Sequence, residues 1–148
     1  MTTLLFSYGS NHPKQMAERL GHDVDTVGAF VNGYVRAFVG YSQRWGGGVA
    51  TLVKKPGGVV YGLVAPVTKD DLAMMDRFEG IASGNYKRVK MKVTLANGEK
   101  ADAIAYVATS KSPYGPTKAY LDAVAKTVGT HWSNGDGSKI TWQDITIR

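Results

Sequence analysis

The chain has 148 residues, 43% hydrophobic and 20% charged, with 18 glycines and five prolines, which suits one folded domain and argues against global disorder. Its lack of cysteine excludes a disulfide scaffold, a zinc ribbon, a thiol nucleophile and a thioredoxin-like motif. A net charge of +6 permits attraction to nucleic acid or anionic lipid without requiring it.

The first residues show no basic leader, and no apolar run reaches the length of a membrane span. The expectation is a cytoplasmic protein without a membrane partner. Residues 4–8, Leu-Leu-Phe-Ser-Tyr, read as a buried strand stopped by Gly9-Ser10-Asn11. Pro13 stands where a first helical residue belongs, capped by Asn11 or His12. Met16 and Leu20 share one face of that helix, which ends near Gly21. Residues 27–41 are rich in Val, Phe and Tyr, and Asn32-Gly33 within them is a hairpin turn or a bulge. Residues 44–48, Arg-Trp-Gly-Gly-Gly, read as a loop on backbone entropy.

Strands are expected at residues 49–54 and 59–65, on either side of a turn Lys55-Pro56-Gly57-Gly58. Thr68 opens a helix with Asp71 as its capping-box partner. Residues 86–95 and 101–107 form a hairpin around Ala96-Asn97-Gly98-Glu99. Residues 117–128 form a helix after Pro116, with Tyr120, Leu121, Val124 and Val128 inward, and the tail from Ile140 reads as a late strand. The sum is an α+β domain over residues 1–148, a small mixed β-barrel with two or three flanking helices.

Glu79 is the most informative residue. It lies seven positions after Leu72 and four after Met75, on the apolar stripe that Phe78 adjoins, whereas Asp70, Asp71 and Asp76 fall where water reaches them. Desolvation and the negative end of a helix closed by Gly80 both raise a carboxyl pKa, which suits proton shuttling. The plainer alternative is a helix-end glutamate turned into solvent.

Tyr8-Gly9-Ser10-Asn11, between a strand and a helix N-terminus, suits an anion or is a simple turn. A Ser10 nucleophile lacks its elbow pattern, because Tyr8 and His12 occupy both glycine positions of G-x-S-x-G. His12, His22 and His131 have no metal spacing, and the chain lacks dinucleotide and P-loop fingerprints. Lys54-Lys55 stand next to each other, and Arg88, Lys90 and Lys92 alternate with Val89, Met91 and Val93. These basic residues have no aromatics interleaved, so they read as a solvated face and not a nucleic-acid surface. Tyr86 and Tyr106 meet at one end of their hairpin, as ordinary sheet tyrosines or as the wall of a small-ligand cavity.

Taken together, Phe6-Ser7-Tyr8-Gly9-Ser10-Asn11, Trp45-Gly46-Gly47-Gly48-Val49-Ala50-Thr51, Val60-Tyr61-Gly62-Leu63-Val64, Met75-Asp76-Arg77-Phe78-Glu79-Gly80 and Ser83-Gly84-Asn85-Tyr86 resemble the gamma-glutamylcyclotransferase family. Residues 113–129 continue the likeness, which covers roughly residues 4–129. His12 departs from the apolar residue common there, and the tail after Gly129, with Asn134-Gly135-Asp136-Gly137, adds no motif to the likeness.

The resemblance implies a barrel with a cavity at one end and Glu79 as the essential carboxylate. It implies a glutamyl-binding loop, from Phe6 and Ser7 through Tyr8, Gly9, Ser10 and Asn11, with Tyr86 and Tyr106 lining the cavity. The implied reaction closes the substrate's α-amine on its side-chain carbonyl, releases 5-oxoproline, and calls for no metal or other cofactor. The implied partner is a small gamma-glutamyl compound. A catalytically idle binding module of the same fold is the alternative.

Overall fold

The computed structural model describes residues 3–79 and 84–147. Strands β1 (Thr3–Ser7), β2 (Val27–Ser42), β3 (Gly47–Val67), β4 (Tyr86–Leu95) and β5 (Lys100–Ala108) close into a barrel in the order β1-β3-β2-β4-β5. Neighbours pair antiparallel except β1 and β5, which meet in parallel at Leu5 and Ile104. The barrel is therefore mixed, as the sequence predicts. Helices α1 (Pro13–Leu20), α2 (Lys69–Glu79), α3 (Lys118–Gly129) and α4 (Trp142–Ile147) flank it.

Alternation along the strands sorts the apolar residues into two cores. Phe6 and Tyr8 pack with Val31, Val60, Val64 and Val93, in a cluster that runs out to Tyr120 and Val124 of α3 and Ile145 of α4. Leu5, Leu63, Ala65 and Val67 have the opposite parity and are covered by Met16 of α1 and by Leu72 and Met75 of α2. A strand buried on both faces reads as a continuous apolar run, which is why Leu4-Leu5-Phe6 shows no alternation.

The helix starts follow from their caps. The His12 ring Nδ1 accepts from the Gln15 backbone N–H at 3.3 Å, with Pro13 in the first turn. Burial lowers the His12 pKa, which favours the neutral ring that this contact needs. At α2, the Thr68 N–H donates to Asp71 Oδ2 at 3.0 Å, and the Asp71 N–H returns a bond to Thr68 Oγ1 at 3.1 Å. Asp71 is only 9% exposed, and His22 Nε2 stands 2.7 Å from its Oδ1. The expectation that Asp71 reaches water is thus corrected: it ties the start of α2 to the end of α1.

Three further readings are revised. Residues 55–58 are no turn between two strands, because β3 runs through them as one strand. The register steps from Asn32↔Val59 to Tyr34↔Lys54, so these residues form a bulge opposite Gly33, where φ is 83°. Gly47 and Gly48 begin β3 and do not complete a loop. A Cβ on Gly48 would stand 2.0 Å from the Tyr114 carbonyl oxygen, so glycine here serves the close crossing of another segment. The tail from Ile140 is helical, since Asp144 Oδ2 accepts from the Thr141 N–H at 2.8 Å as a first-turn cap, and Ile145 turns into the core.

The bulge is where the β2–β3 ribbon bends. Below it β3 pairs with β1; above it Thr51 Oγ1 accepts from the Ala108 N–H of β5 at 3.1 Å. Arg36 spans the bend from within: Nε donates to the Tyr8 carbonyl at 3.1 Å and an Nη donates to the Tyr61 carbonyl at 3.0 Å. The side chain is almost wholly buried, so both bonds count for more than surface contacts.

Arg36→Met retains the aliphatic stem and strips both charge-assisted bonds. Unfolding in urea should show a loss of about 3 kcal/mol, within the range for bonds to charged donors. The His22–Asp71 contact predicts a pH effect. Asp71 lifts the His22 pKa above its ordinary 6.5, so the contact contributes in full below that value and fades as pH rises through the raised folded pKa. Thermal melts across that window should fall more steeply in the parent than in His22→Gln.

Candidate active site

Two adjoining spaces open at the end of the barrel: an outer cleft of about 640 Å³ and an inner recess of about 40 Å³. Ser10, Asn11, Glu79, Tyr86 and Tyr120 border both. The recess is floored by residues 5–9 leaving β1, and the cleft is walled by residues 39–45 at the bent tip of the β2–β3 ribbon. The bend thus folds a wall over the end of β1.

Glu79, the last residue of α2, turns its carboxylate onto Asn11, whose Nδ2 donates to Oε1 at 2.7 Å. Arg19 fixes the other end of that amide, with Nη1 donating to Asn11 Oδ1 at 2.9 Å. Burial pushes the Glu79 carboxyl up from its ordinary value, while the Asn11 bond and the Arg19 charge oppose the rise without cancelling it. Phe78 does not extend the buried stripe: it is 49% exposed, and the Arg19 guanidinium lies 4.7 Å from its ring centroid. Gly80 and Ser83 lie outside the described residues.

The other residues singled out by sequence fall into distinct positions. Phe6 belongs to the barrel core, and the buried Ser7 hydroxyl donates to Met16 Sδ at 3.9 Å. Tyr8 is buried and donates its hydroxyl to the Tyr106 carbonyl. Gly9 lies against Tyr120: a Cβ there would stand 3.4 Å from the phenol oxygen. Among the described residues Ser10 Oγ joins no triad, and the Ser10 backbone carbonyl accepts from the His12 N–H at 2.9 Å. Tyr86 faces both spaces, and burial raises its pKa so that it stays a proton donor. Tyr106 borders the recess, but its hydroxyl donates to Asp76 Oδ1 at 2.6 Å and to the Leu72 carbonyl at 3.3 Å. Its phenol therefore steadies α2.

The structure adds Tyr120, Arg19 and Arg44 to these. Tyr120 is 3% exposed and accepts the Ala50 N–H on its hydroxyl at 2.7 Å, between the recess and the Trp45 ring. Its helix-face spacing had marked it only as a core residue. Arg19 lies three residues after Met16, on the same side of α1, a spacing that carried a signal. Arg44 sits in a turn and carried none. Its guanidinium is 5.4 Å from the Trp45 ring centroid. The buried Gln15 amide links it to the loop once its oxygen and nitrogen are assigned by hydrogen bonding: the nitrogen then faces Ser10 O at 3.0 Å and Asn11 Oδ1 at 2.9 Å, and the oxygen accepts from Arg44 Nη2 at 3.3 Å.

Comparison with known proteins places this site in context. A family model described as "Gamma-glutamyl cyclotransferase, AIG2-like" matches residues 5–126. A mouse protein named Gamma-glutamylcyclotransferase is 33% identical over 83 residues, 56% of this chain and 44% of its own length. Its human namesake is 34% identical over 79 residues, 53% of this chain and 42% of its own. The matched stretch thus spans less than half of each relative. A solved structure titled "Gamma-glutamyl cyclotransferase" superposes with a TM-score of 0.87 at 23% identity, covering 99% of this chain and 87% of that one, a likeness of fold. With most of its length matched by the family model, this chain belongs to the gamma-glutamyl cyclotransferase, AIG2-like family.

Proposed function

We propose that the protein is a gamma-glutamyl cyclotransferase that releases 5-oxoproline from a gamma-glutamyl amino acid or amine. The observation that carries this reading is a partly buried carboxyl, Glu79, at the junction of recess and cleft, held by Asn11 and raised in pKa. A site with no chemistry has no physical reason to keep a carboxylate in so costly a place.

The substrate supplies its own nucleophile, the α-amine, so the protein's first task is to fold it until amine and γ-carbonyl meet. The recess, at about 40 Å³, suits the compact end of the substrate. There the backbone amides of Gly9 and Ser10 bind the α-carboxylate or stabilise the oxyanion. Glu79 takes a proton from the α-ammonium, the amine nitrogen bonds to the side-chain carbonyl carbon, Cδ, and the C–N bond from that carbon to the leaving group breaks. Glu79 returns that proton to the departing nitrogen, and the second proton shed by the ring nitrogen makes the released amine an ammonium. Tyr86, protonated at neutral pH, offers a hydrogen bond beside the reacting carbonyl.

Glu79→Gln keeps the shape and an acceptor for Asn11 and removes the shuttle. 5-Oxoproline release from gamma-glutamyl-alanine, gamma-glutamyl-lysine isomers and glutathione, followed by mass spectrometry, should fall at least about 100-fold in the variant. Its thermal melt should be no lower than the parent's, because a costly buried charge is gone. Retained turnover would sink the mechanism, and silence of the parent across the panel would favour an idle binding module. A second expectation concerns pH. Glu79 must be ionised in the free enzyme, so the acid limb of kcat/KM should lie above the ordinary glutamate value of 4.5. Arg19→Met removes a charge that favours the anion, so that limb should move to higher pH.

A further inference from the structure

The outer cleft has about 640 Å³ beside a recess of about 40 Å³, and the leaving group must occupy it if the cyclotransferase reading holds. Its charge is one-sided. Arg19, Arg44 and Arg77 line it, and Glu79 is the one carboxylate among its described lining residues. Two of these cations are placed by packing. The guanidinium of Arg19 lies over Phe78 and that of Arg44 over Trp45, at 4.7 and 5.4 Å from the ring centroids. A guanidinium resting on a ring keeps its N–H donors at its edge, ready for a planar anion, and loses less freedom on binding than an unsupported chain. Each spends a bond on a neutral amide, Asn11 for Arg19 and Gln15 for Arg44, and a guanidinium carries five N–H donors.

The same two amides connect these cations to the catalytic carboxyl. Arg19 is one side chain from Glu79, and Arg44 is two, through Gln15 and Asn11. An anion beside the scissile bond therefore meets Arg44 within the amide network that also holds Glu79. An ammonium there meets the same-sign charge of three arginines in a confined space.

We propose that the outer cleft is an anion subsite for the leaving group, with Arg44 as its specificity-determining residue. The protein then selects gamma-glutamyl compounds whose leaving amine carries a nearby carboxylate and discriminates against neutral and cationic amines. Arg44 is exposed, whereas Arg19 also sets the state of Glu79. Arg44 is accordingly the residue whose replacement separates leaving-group recognition from proton transfer.

Gamma-glutamyl-alanine and gamma-glutamyl-alanine amide differ by one charge at the position in question. The parent should prefer the acid in kcat/KM by about tenfold or more, the worth of one charge-assisted bond. Arg44→Met should bring the acid-to-amide ratio toward one, and Arg44→Lys should restore part of it, since it keeps the charge and loses the fork. Calorimetric binding of both ligands to Glu79→Gln, with and without Arg44→Met, reads the same discrimination without turnover. Equal release from acid and amide by the parent, or a ratio that Arg44→Met leaves unmoved, overturns the subsite while the reaction stands. Discrimination in binding with no 5-oxoproline formed overturns the cyclotransferase reading while the subsite stands. Binding of neither ligand overturns both.

Discussion

Strands of an odd number cannot close a ring with every neighbour antiparallel, and a five-stranded barrel must carry at least one parallel pair. Here that pair is β1 and β5. Parallel neighbours end on the same side, so the chain leaves β1 at Tyr8 beside the end of β5 at Ala108. The loop that follows β1 is thereby set next to the strand that closes the ring. The Tyr8 hydroxyl on the Tyr106 carbonyl joins the two ends. The site depends on this closure, because every described wall of the recess is either the end of β1, a neighbour of β5, or an element folded over them.

A second layer of organisation joins elements distant in sequence. Asn11 follows the first strand and Glu79 ends the second helix, 68 residues later, yet one amide spans them. Arg19 and Gln15, both on α1, orient that amide from its oxygen side. The start of α2 is tied to the same region through His22 and Asp71, so both ends of the helix bearing the carboxylate are anchored near α1. Electrostatically the arrangement is balanced against itself. Burial lifts the Glu79 pKa, and the amide and the nearby guanidinium restrain the rise, leaving a carboxyl displaced upward without being neutralised outright.

Much of this was legible from residue order, for identifiable reasons. Helix phase singled out Glu79 because Leu72 and Met75 report the buried side of α2 independently of any partner. The Thr68–Asp71 box and the Asn97-Gly98 hairpin are local codes, and local codes survive folding. The errors have a common origin in contacts between distant segments. Gly47-Gly48 read as a loop because nothing nearby in sequence announces that residues 114 and 115 pass directly over them. Residues 55–58 read as a turn because a bulge is visible only once the partner strand is known to continue past it. The tail from Ile140 reads as a strand in sequence, and the Thr141–Asp144 cap makes it a helix. Arg44 gave no signal because its meaning lies in Trp45 and Gln15, brought together only by the folded site.

The bulge in β3 has a consequence for how the cleft varies. Four residues stand against one there, and the ladders on either side keep their own registers. The ribbon beyond the bulge carries Arg44 and Trp45 at the cleft, whereas Glu79 is carried by α2 and held by Asn11. The outer wall of the cleft and the Glu79 carboxyl are therefore carried by separate stretches of chain. A change in the ribbon can alter what the cleft admits and leave the carboxyl at its base where it is.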